Sequence, residues 1–251
     1  MTISADLSGK TAFVTGASSG FGAHFAKLLA QHGARVVVGA RRVEALKSLV
    51  SEIQAAGGQA SAVALDVRDL GSIRDALAAA GPLDILVNNA GVGAGKPVLE
   101  QTEEDWSFVL DTNLRGAFFM ATEAARAMRE AGIAGSIVNI ASILGLRQGM
   151  GVSTYAISKA GLIQLTKQLA LELARYRIRV NALAPGYFGT DINKDFFDTE
   201  AGAALIKRVA MRRLGDLDDL DGPLLLLASD ASKFMTGSVI AVDGGHLLSG
   251  L

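Results

Sequence analysis

Thr11-Ala12-Phe13-Val14-Thr15-Gly16-Ala17-Ser18-Ser19-Gly20-Phe21-Gly22 is the stretch on which the fold turns. Its first five residues are a short run without polar alternation, the pattern of a strand buried on both faces. A glycine-rich turn follows at once, and Gly20 to Gln31 reads as a helix. Glycines in such a turn let the backbone approach a diphosphate. The helix behind them offers free N–H groups and the positive end of its dipole. The spacing is G-x-x-x-G-x-G, not the commoner G-x-G-x-x-G. Between a first strand and a first helix, it marks Gly16, Ser18, Ser19, Phe21 and Gly22 as candidate cofactor contacts.

The alternation continues outward from this turn. Strands are expected at Arg35 to Val38, Ala60 to Leu65, Leu83 to Val87, Ser136 to Ile140, Arg179 to Leu183 and Val239 to Val242. Helical patterns separate them at Val43 to Ala56, Ser72 to Ala80, Glu103 to Ala131, Thr154 to Arg175 and Leu217 to Ala228. Strands buried on both faces need helices above and below, so the expected class is α/β with a parallel sheet. No linker interrupts the series, which predicts one domain over residues 1–251. The one long irregular stretch, at about 186–213, is expected to be a lid.

Composition narrows the function. The chain has 251 residues, half of them hydrophobic, with 24 Lys plus Arg against 25 Asp plus Glu. That balance offers no basic face for nucleic acid. The absence of cysteine excludes disulfides and thiolate metal sites. His24, His32 and His246 lie far from any ligand spacing and read as surface or boundary residues, so no metal is expected. The N-terminus lacks a basic region followed by an apolar one, and no apolar run is long enough to span a bilayer. A soluble, cytoplasmic protein that binds no membrane is expected.

Tyr155-Ala156-Ile157-Ser158-Lys159 is the candidate chemical centre. Residues four apart share one helix face, so the phenol and the ammonium point into one space. A nearby cation favours phenolate, and the expectation is that Lys159 lowers the Tyr155 pKa from its ordinary value of about 10. Such a group serves acid–base catalysis near neutral pH. Asp66, with Val67 after it, ends the third strand; it either accepts from an adenine amino group or caps the next helix. Asn88-Asn89-Ala90-Gly91 ends the fourth strand, where α/β sheets bind ligands.

Taken together, Thr15 to Gly22, Asp66, Asn88 to Gly91, Asn113, Ser142, Tyr155 with Lys159, and Pro185-Gly186 make the chain resemble the short-chain dehydrogenases/reductases along essentially its full length. The resemblance implies a Rossmann-type doubly wound sheet of seven parallel strands with helices on both faces. It also implies hydride transfer between a nicotinamide dinucleotide and a carbonyl or alcohol. In that reading Tyr155 exchanges the proton with the substrate oxygen and Ser142 hydrogen-bonds the same oxygen. Lys159 binds the nicotinamide ribose, Asn113 holds a water in a relay through Lys159, and Thr190 contacts the carboxamide. Asn89, Ala90, Gly91, Pro185 and Gly186 complete the cofactor contacts.

Three further expectations follow. By the resemblance, Ala40 stands where NAD-preferring relatives place Asp. Arg41 and Arg42 follow it and suit a 2′-phosphate, so NADP(H) is expected over NAD(H), with Arg41 the better candidate. An apolar substrate wall is expected from Ile143, Leu144, Met150, Tyr187, Phe188, Phe196 and Phe197, favouring aryl or alkyl ketones over sugars. Relatives pair the two long helices across a two-fold axis, so a homotetramer is expected, with the apolar C-terminal tail as a second interface. The alternative activity is reduction of 3-oxoacyl thioesters, which calls for a basic docking surface; Arg126 and Arg129 are its candidates. A silent dinucleotide sensor has no need of Asn113, Ser142, Tyr155 and Lys159 together.

Overall fold

The computed structural model describes residues 5–93, 95–189, 197 and 199–248. Seven strands form one sheet: β1 (Thr11–Thr15), β2 (Arg35–Ala40), β3 (Gln59–Ala64), β4 (Ile85–Asn88), β5 (Ser136–Ile140), β6 (Arg179–Pro185) and β7 (Val239–Val242). Their order is β3-β2-β1-β4-β5-β6-β7, and every pairing is parallel. The order reverses between β1 and β4, which opens a crevice at their carboxyl ends, where doubly wound sheets bind ligands.

The helices are α1 (Gly20–Gln31), α2 (Val43–Ala55), α3 (Leu70–Ala80), α4 (Glu103–Leu110), α5 (Ala117–Glu130), α6 (Ser153–Leu173), α7 (Glu200–Ile206) and α8 (Asp221–Ala228). The central strands β1, β4 and β5 are buried at every position. Each therefore needs apolar cover on both faces. Phe25 and Leu29 of α1, Leu46 and Ile53 of α2, and Leu224 and Leu227 of α8 cover one face. Ile73 and Leu77 of α3, Met120 and Met128 of α5, and Leu169 of α6 cover the other. Fully burying one such side chain contributes about 1.5–3 kcal/mol. The edge strand β3 alternates between exposed and half-buried positions, as a strand with one open side does.

Local chemistry sets the helix ends. Thr102 and Asp105 form a reciprocal capping box at the start of α4. Asp69 caps α3 through the Gly71 amide at 2.8 Å. Arg179 donates to the Leu227 and Ser229 carbonyls, both at 3.0 Å, and so closes the end of α8.

Three expectations need correction. The pattern from Glu103 to Ala131 is not one helix: a π-helical turn, Asp111–Gly116, separates α4 from α5. Apolar periodicity does not register one inserted residue. The stretch 186–213 is not wholly irregular, because α7 lies within it, capped by Thr199 on the Gly202 amide. His246 is no surface residue; it is buried, and its ring meets that of Tyr187 edge-on at 5.2 Å.

Candidate active site

A cavity of about 730 Å³ follows the carboxyl ends of β1, β2, β4 and β5, from Arg41 and Arg42 at one end to Tyr155 and Tyr187 at the other. Its floor is the glycine-rich turn. Gly16 has φ +66°, and a Cβ there would stand 2.7 Å from the Ala90 Cα. At Gly22 a Cβ would stand 2.5 Å from the Gly16 carbonyl oxygen. These two glycines let the turn close against Asn89 and Ala90. Gly20 has φ +55° and open space where a Cβ would be. The Ser19 side chain does not cap α1. Its hydroxyl accepts instead from Arg42 Nη2 at 2.8 Å, and the same guanidinium donates to Ser18 Oγ at 2.9 Å. The first N–H groups of α1 thus keep no side-chain partner from Ser19, as an anion site at a helix N-terminus requires.

The amides of the β4 end serve this turn. Asn89 Nδ2 donates to the Thr15 carbonyl at 2.9 Å, and Thr15 Oγ1 accepts from the Asn89 and Ala90 amides at 3.0 and 2.9 Å. Thr15, which opens the motif, is a bracing residue to which the sequence reading gave no separate role. Asn88 is buried and holds the sheet to α5 through the Ala117 carbonyl. Asp66 lines the cavity with both carboxylate oxygens engaged by Arg68, at 3.1 and 2.7 Å. These bonds lower its pKa. Arg68 is the neutralising partner that the sequence did not single out.

At the far end α6 carries Tyr155 and Lys159 on one face. Ser142, just past β5, accepts from the Leu144 amide at 3.1 Å, and its hydroxyl favours the ionised form of the Tyr155 phenol. Asn113 sits in the π-helical turn, fully buried. Its Oδ1 accepts from the Val92 amide at 2.7 Å, and its Nδ2 donates to the Val92 carbonyl and Ser158 Oγ at 2.8 and 3.0 Å. A π-turn is a common device at functional sites. Here it turns a polar side chain into the crevice instead of out to solvent. Asn113 Oδ1 and Lys159 Nζ lie 3.4 and 3.5 Å from the point a Cβ on Gly91 would occupy, so both polar atoms border one small space.

The electrostatics correct one expectation. Lys159 does not lower the Tyr155 pKa here. Burial raises it, the Ser142 hydrogen bond opposes the rise, and Tyr187 adds to it. The Lys159 ammonium lies over the ring face, 5.6 Å from its centroid, and donates to the Ile140 carbonyl at 2.7 Å. Its own pKa falls from 10.5 to about 8 because burial penalises its charge. The unfolded chain therefore binds the extra proton between those two values, and stability contributed at Lys159 rises with pH across that interval. Below about 8 the folded protein carries the desolvated charge in full. The melting temperature of wild type should consequently climb relative to that of Lys159→Met as pH rises through the interval. A constant difference would refute the shift.

Of the expected apolar wall, Tyr187 and Phe188 line the cavity among the described residues. Met150 is fully exposed on the loop before α6, and Ile143 is buried in the core. Phe188 borders the cavity but packs edge-on against Phe21 at 5.4 Å, as part of the core. Leu144 is half-buried behind Ser142. Phe197 is buried, 6.2 Å from the Tyr187 ring. Tyr187 is the wall residue that faces the cavity beside Tyr155. Val67 and Gly186 line the cavity too, with Pro185 ending β6 just before Gly186. Thr190 and Phe196 lie outside the described residues. His24, half-buried on α1, accepts or donates to Asp221 at 2.6 Å and stands 4.0 Å from Asp218, a grouping its sequence position did not suggest.

The cavity fits an extended dinucleotide: a glycine turn and open helix start in the middle, arginines at one end, and acid–base groups at the other. A nicotinamide dinucleotide held there would supply or take up a hydride. Tyr155 is placed to exchange a proton with a substrate oxygen at that end of the cavity, and Ser142 stands just past β5 beside it. Lys159 and Asn113 hold the polar space behind the phenol.

The family model for short chain dehydrogenase matches residues 10–201. L-rhamnose 1-dehydrogenase (NAD(P)(+)) of Azotobacter vinelandii is 44% identical, over 94% of this chain and 96% of that protein. The 3-oxoacyl-[acyl-carrier-protein] reductase of Thermotoga maritima is 38% identical, over 96% and 99%. The crystal structure of a gluconate 5-dehydrogenase from Burkholderia cenocepacia, in complex with NADP and tartrate, superposes with a TM-score of 0.94 at 35% identity, over 98% of both chains. A sheet of this order, a cavity of this composition and similarity along nearly the whole length lead to one conclusion: the chain belongs to the short chain dehydrogenase family.

Proposed function

We propose that this enzyme is an NADP(H)-preferring oxidoreductase that interconverts a secondary alcohol and a ketone on a small polyhydroxylated substrate. Tyr155 is its general acid and base, with Asn113, Ser142 and Lys159 in support. The observation that carries the reading is the single cavity joining Arg41 and Arg42 to Tyr155. Ala40, buried at the end of β2, brings no carboxylate to that arginine end. The polyhydroxylated class is favoured by the sugar and sugar-acid names among the relatives. The aryl or alkyl ketones expected from the sequence are the competing class.

The thioester reading is the weaker one. Arg126 is engaged by Glu123, and the Arg129 guanidinium covers the Tyr176 ring at 5.7 Å, so neither stands free for an acidic carrier. A panel of polyols, sugar acids and 3-oxoacyl thioesters, run with both dinucleotides, separates the readings. Polyol oxidation with NADP⁺ is expected. Exclusive turnover of thioesters would overturn the substrate class, and dinucleotide binding without turnover on the whole panel would favour a sensor.

The chain acts in this reading as one unit, with 186–213 as its lid, and it assembles as a homotetramer in the cytoplasm. No helix among the described residues is long and apolar enough to cross a membrane. Trp106 and Phe108 on α4 and Phe118 on α5 are each at least 40% exposed, which suits burial against a second copy. Light scattering should give four times the chain mass; a monomer at every concentration would contradict the assembly, and fractionation tests the compartment.

A further inference from the structure

The Asn113 side-chain nitrogen carries two protons. One goes to the Val92 carbonyl at 2.8 Å and the other to Ser158 Oγ at 3.0 Å. The Ser158 hydroxyl has a single proton, which it donates to the Tyr155 carbonyl, one turn back on α6, at 2.7 Å. With that proton committed, the Ser158 oxygen can only accept, so the Asn113 amide must turn its nitrogen toward it. The Val92 amide, donating to Asn113 Oδ1 at 2.7 Å, demands the same orientation. Asn113, Ser158 and Lys159 are all buried, where a donor without a partner keeps its full desolvation cost.

These bonds join two separate parts of the fold. Val92 follows β4 and Asn113 lies in the π-helical turn, whereas Ser158 stands on α6, directly before Lys159. Asn113 to Ser158 is the one hydrogen bond between α6 and the π-helical turn among the described residues. Three residues on, along the same face of α6, the packing is close: a Cβ on Gly161 would stand 2.7 Å from Leu114 Cδ2. Gly161 lets the turn seat against α6, and Ser158 sets the register of that seat. The register matters at the neighbouring residue. Asn113 Oδ1 and Lys159 Nζ border one space beside Gly91, 3.4 and 3.5 Å from the point its Cβ would take. A slip of α6 against the turn would separate them.

We infer that Ser158 is a positioning residue for proton transfer: its hydroxyl docks α6 on the π-helical turn and so holds the Asn113 amide oxygen in place beside the Lys159 ammonium. The inference rests on the proposed role of Tyr155 as acid and base. Ser158 lies outside the lining of the cavity and acts through Asn113 and Lys159.

The test follows NADP⁺ reduction on the panel substrate that wild type turns over best. Displacing a catalytic group by about 1 Å costs about a hundredfold in rate. Ser158→Ala should therefore lower kcat by about ten- to a hundredfold, while KM for NADP⁺ and NADPH binding are kept. The solvent deuterium isotope effect on kcat should grow, because the proton step is the one slowed. If Ser158 acts through Asn113, the double variant with Asn113→Ala should be no slower than Asn113→Ala alone. Ser158→Thr keeps the hydroxyl and should retain most of kcat; it decides the matter if the alanine variant does not fold. A folded Ser158→Ala with wild-type kcat and only a lower melting temperature would overturn the inference. So would losses that multiply in the double variant, or a threonine variant that loses kcat to the same extent. Each of these leaves the proposed function standing. A wild type that turns over no substrate on the panel would overturn both together.

Discussion

Tyr155→Phe is expected to lower turnover by about 10²–10⁴-fold, the range general acid–base catalysis supplies, while NADPH still binds. The ring would remain under the Lys159 ammonium, so the packing of α6 against the cavity is kept. What disappears is one oxygen, the one whose ionised form Ser142 favours. Burial raises the phenol's pKa, so the group holds its proton at neutral pH and is ready to donate it to a carbonyl. Oxidation of an alcohol asks the same group to give up that proton, and Ser142 is the group that favours the ionised form. Steady-state rates with fluorescence titration of NADPH separate chemistry from binding; near-wild-type turnover in the folded variant would remove Tyr155 from the mechanism.

The second large effect concerns the dinucleotide. NADPH should exceed NADH in kcat/KM by about tenfold or more, as expected for one charge-assisted phosphate contact. Ala40→Asp should reverse that preference. Ala40 ends β2 at the cavity wall, and a carboxylate there would repel a 2′-phosphate and accept from a ribose hydroxyl instead. Of the two arginines, Arg42 is the one already drawn over the turn, through Ser18 and Ser19. Arg41 acts on Asp66. Arg42→Ala should therefore weaken NADPH more than NADH. If both variants leave the ratio unmoved, the selector lies elsewhere in the cavity.

The sequence carried the sheet well. Each central strand is a short apolar run between a glycine or polar turn and a helical pattern, and burial on both faces leaves one layer arrangement open. Through one spacing it placed Tyr155 and Lys159 on one helix face, and both line the cavity; Ser142 was named through the resemblance. It was silent where the chain departs from regular periods. The π-helical turn at Asn113 inserts a residue that hydrophobic periodicity cannot register. The stretch 186–213 hid α7 because seven residues are too few for a pattern. Charge pairing was also invisible: Arg68 on Asp66, Arg42 on two serines, and Arg147 on His246, 99 residues away, are meetings that only the folded chain arranges. The same limit explains the failed expectation that Lys159 acidifies Tyr155. Helical spacing gives a shared face, but it does not say that the ammonium bonds the Ile140 carbonyl and is itself desolvated.

The most direct measurement is reduction of NADP⁺ by the purified protein on D-gluconate and L-rhamnose, with wild type beside Tyr155→Phe and NADPH binding recorded for both. Wild type should reduce NADP⁺ on at least one of these substrates, and the variant should bind NADPH with that activity lost. NADPH binding by a wild type that turns over neither these substrates nor any other secondary alcohol or ketone would contradict the account.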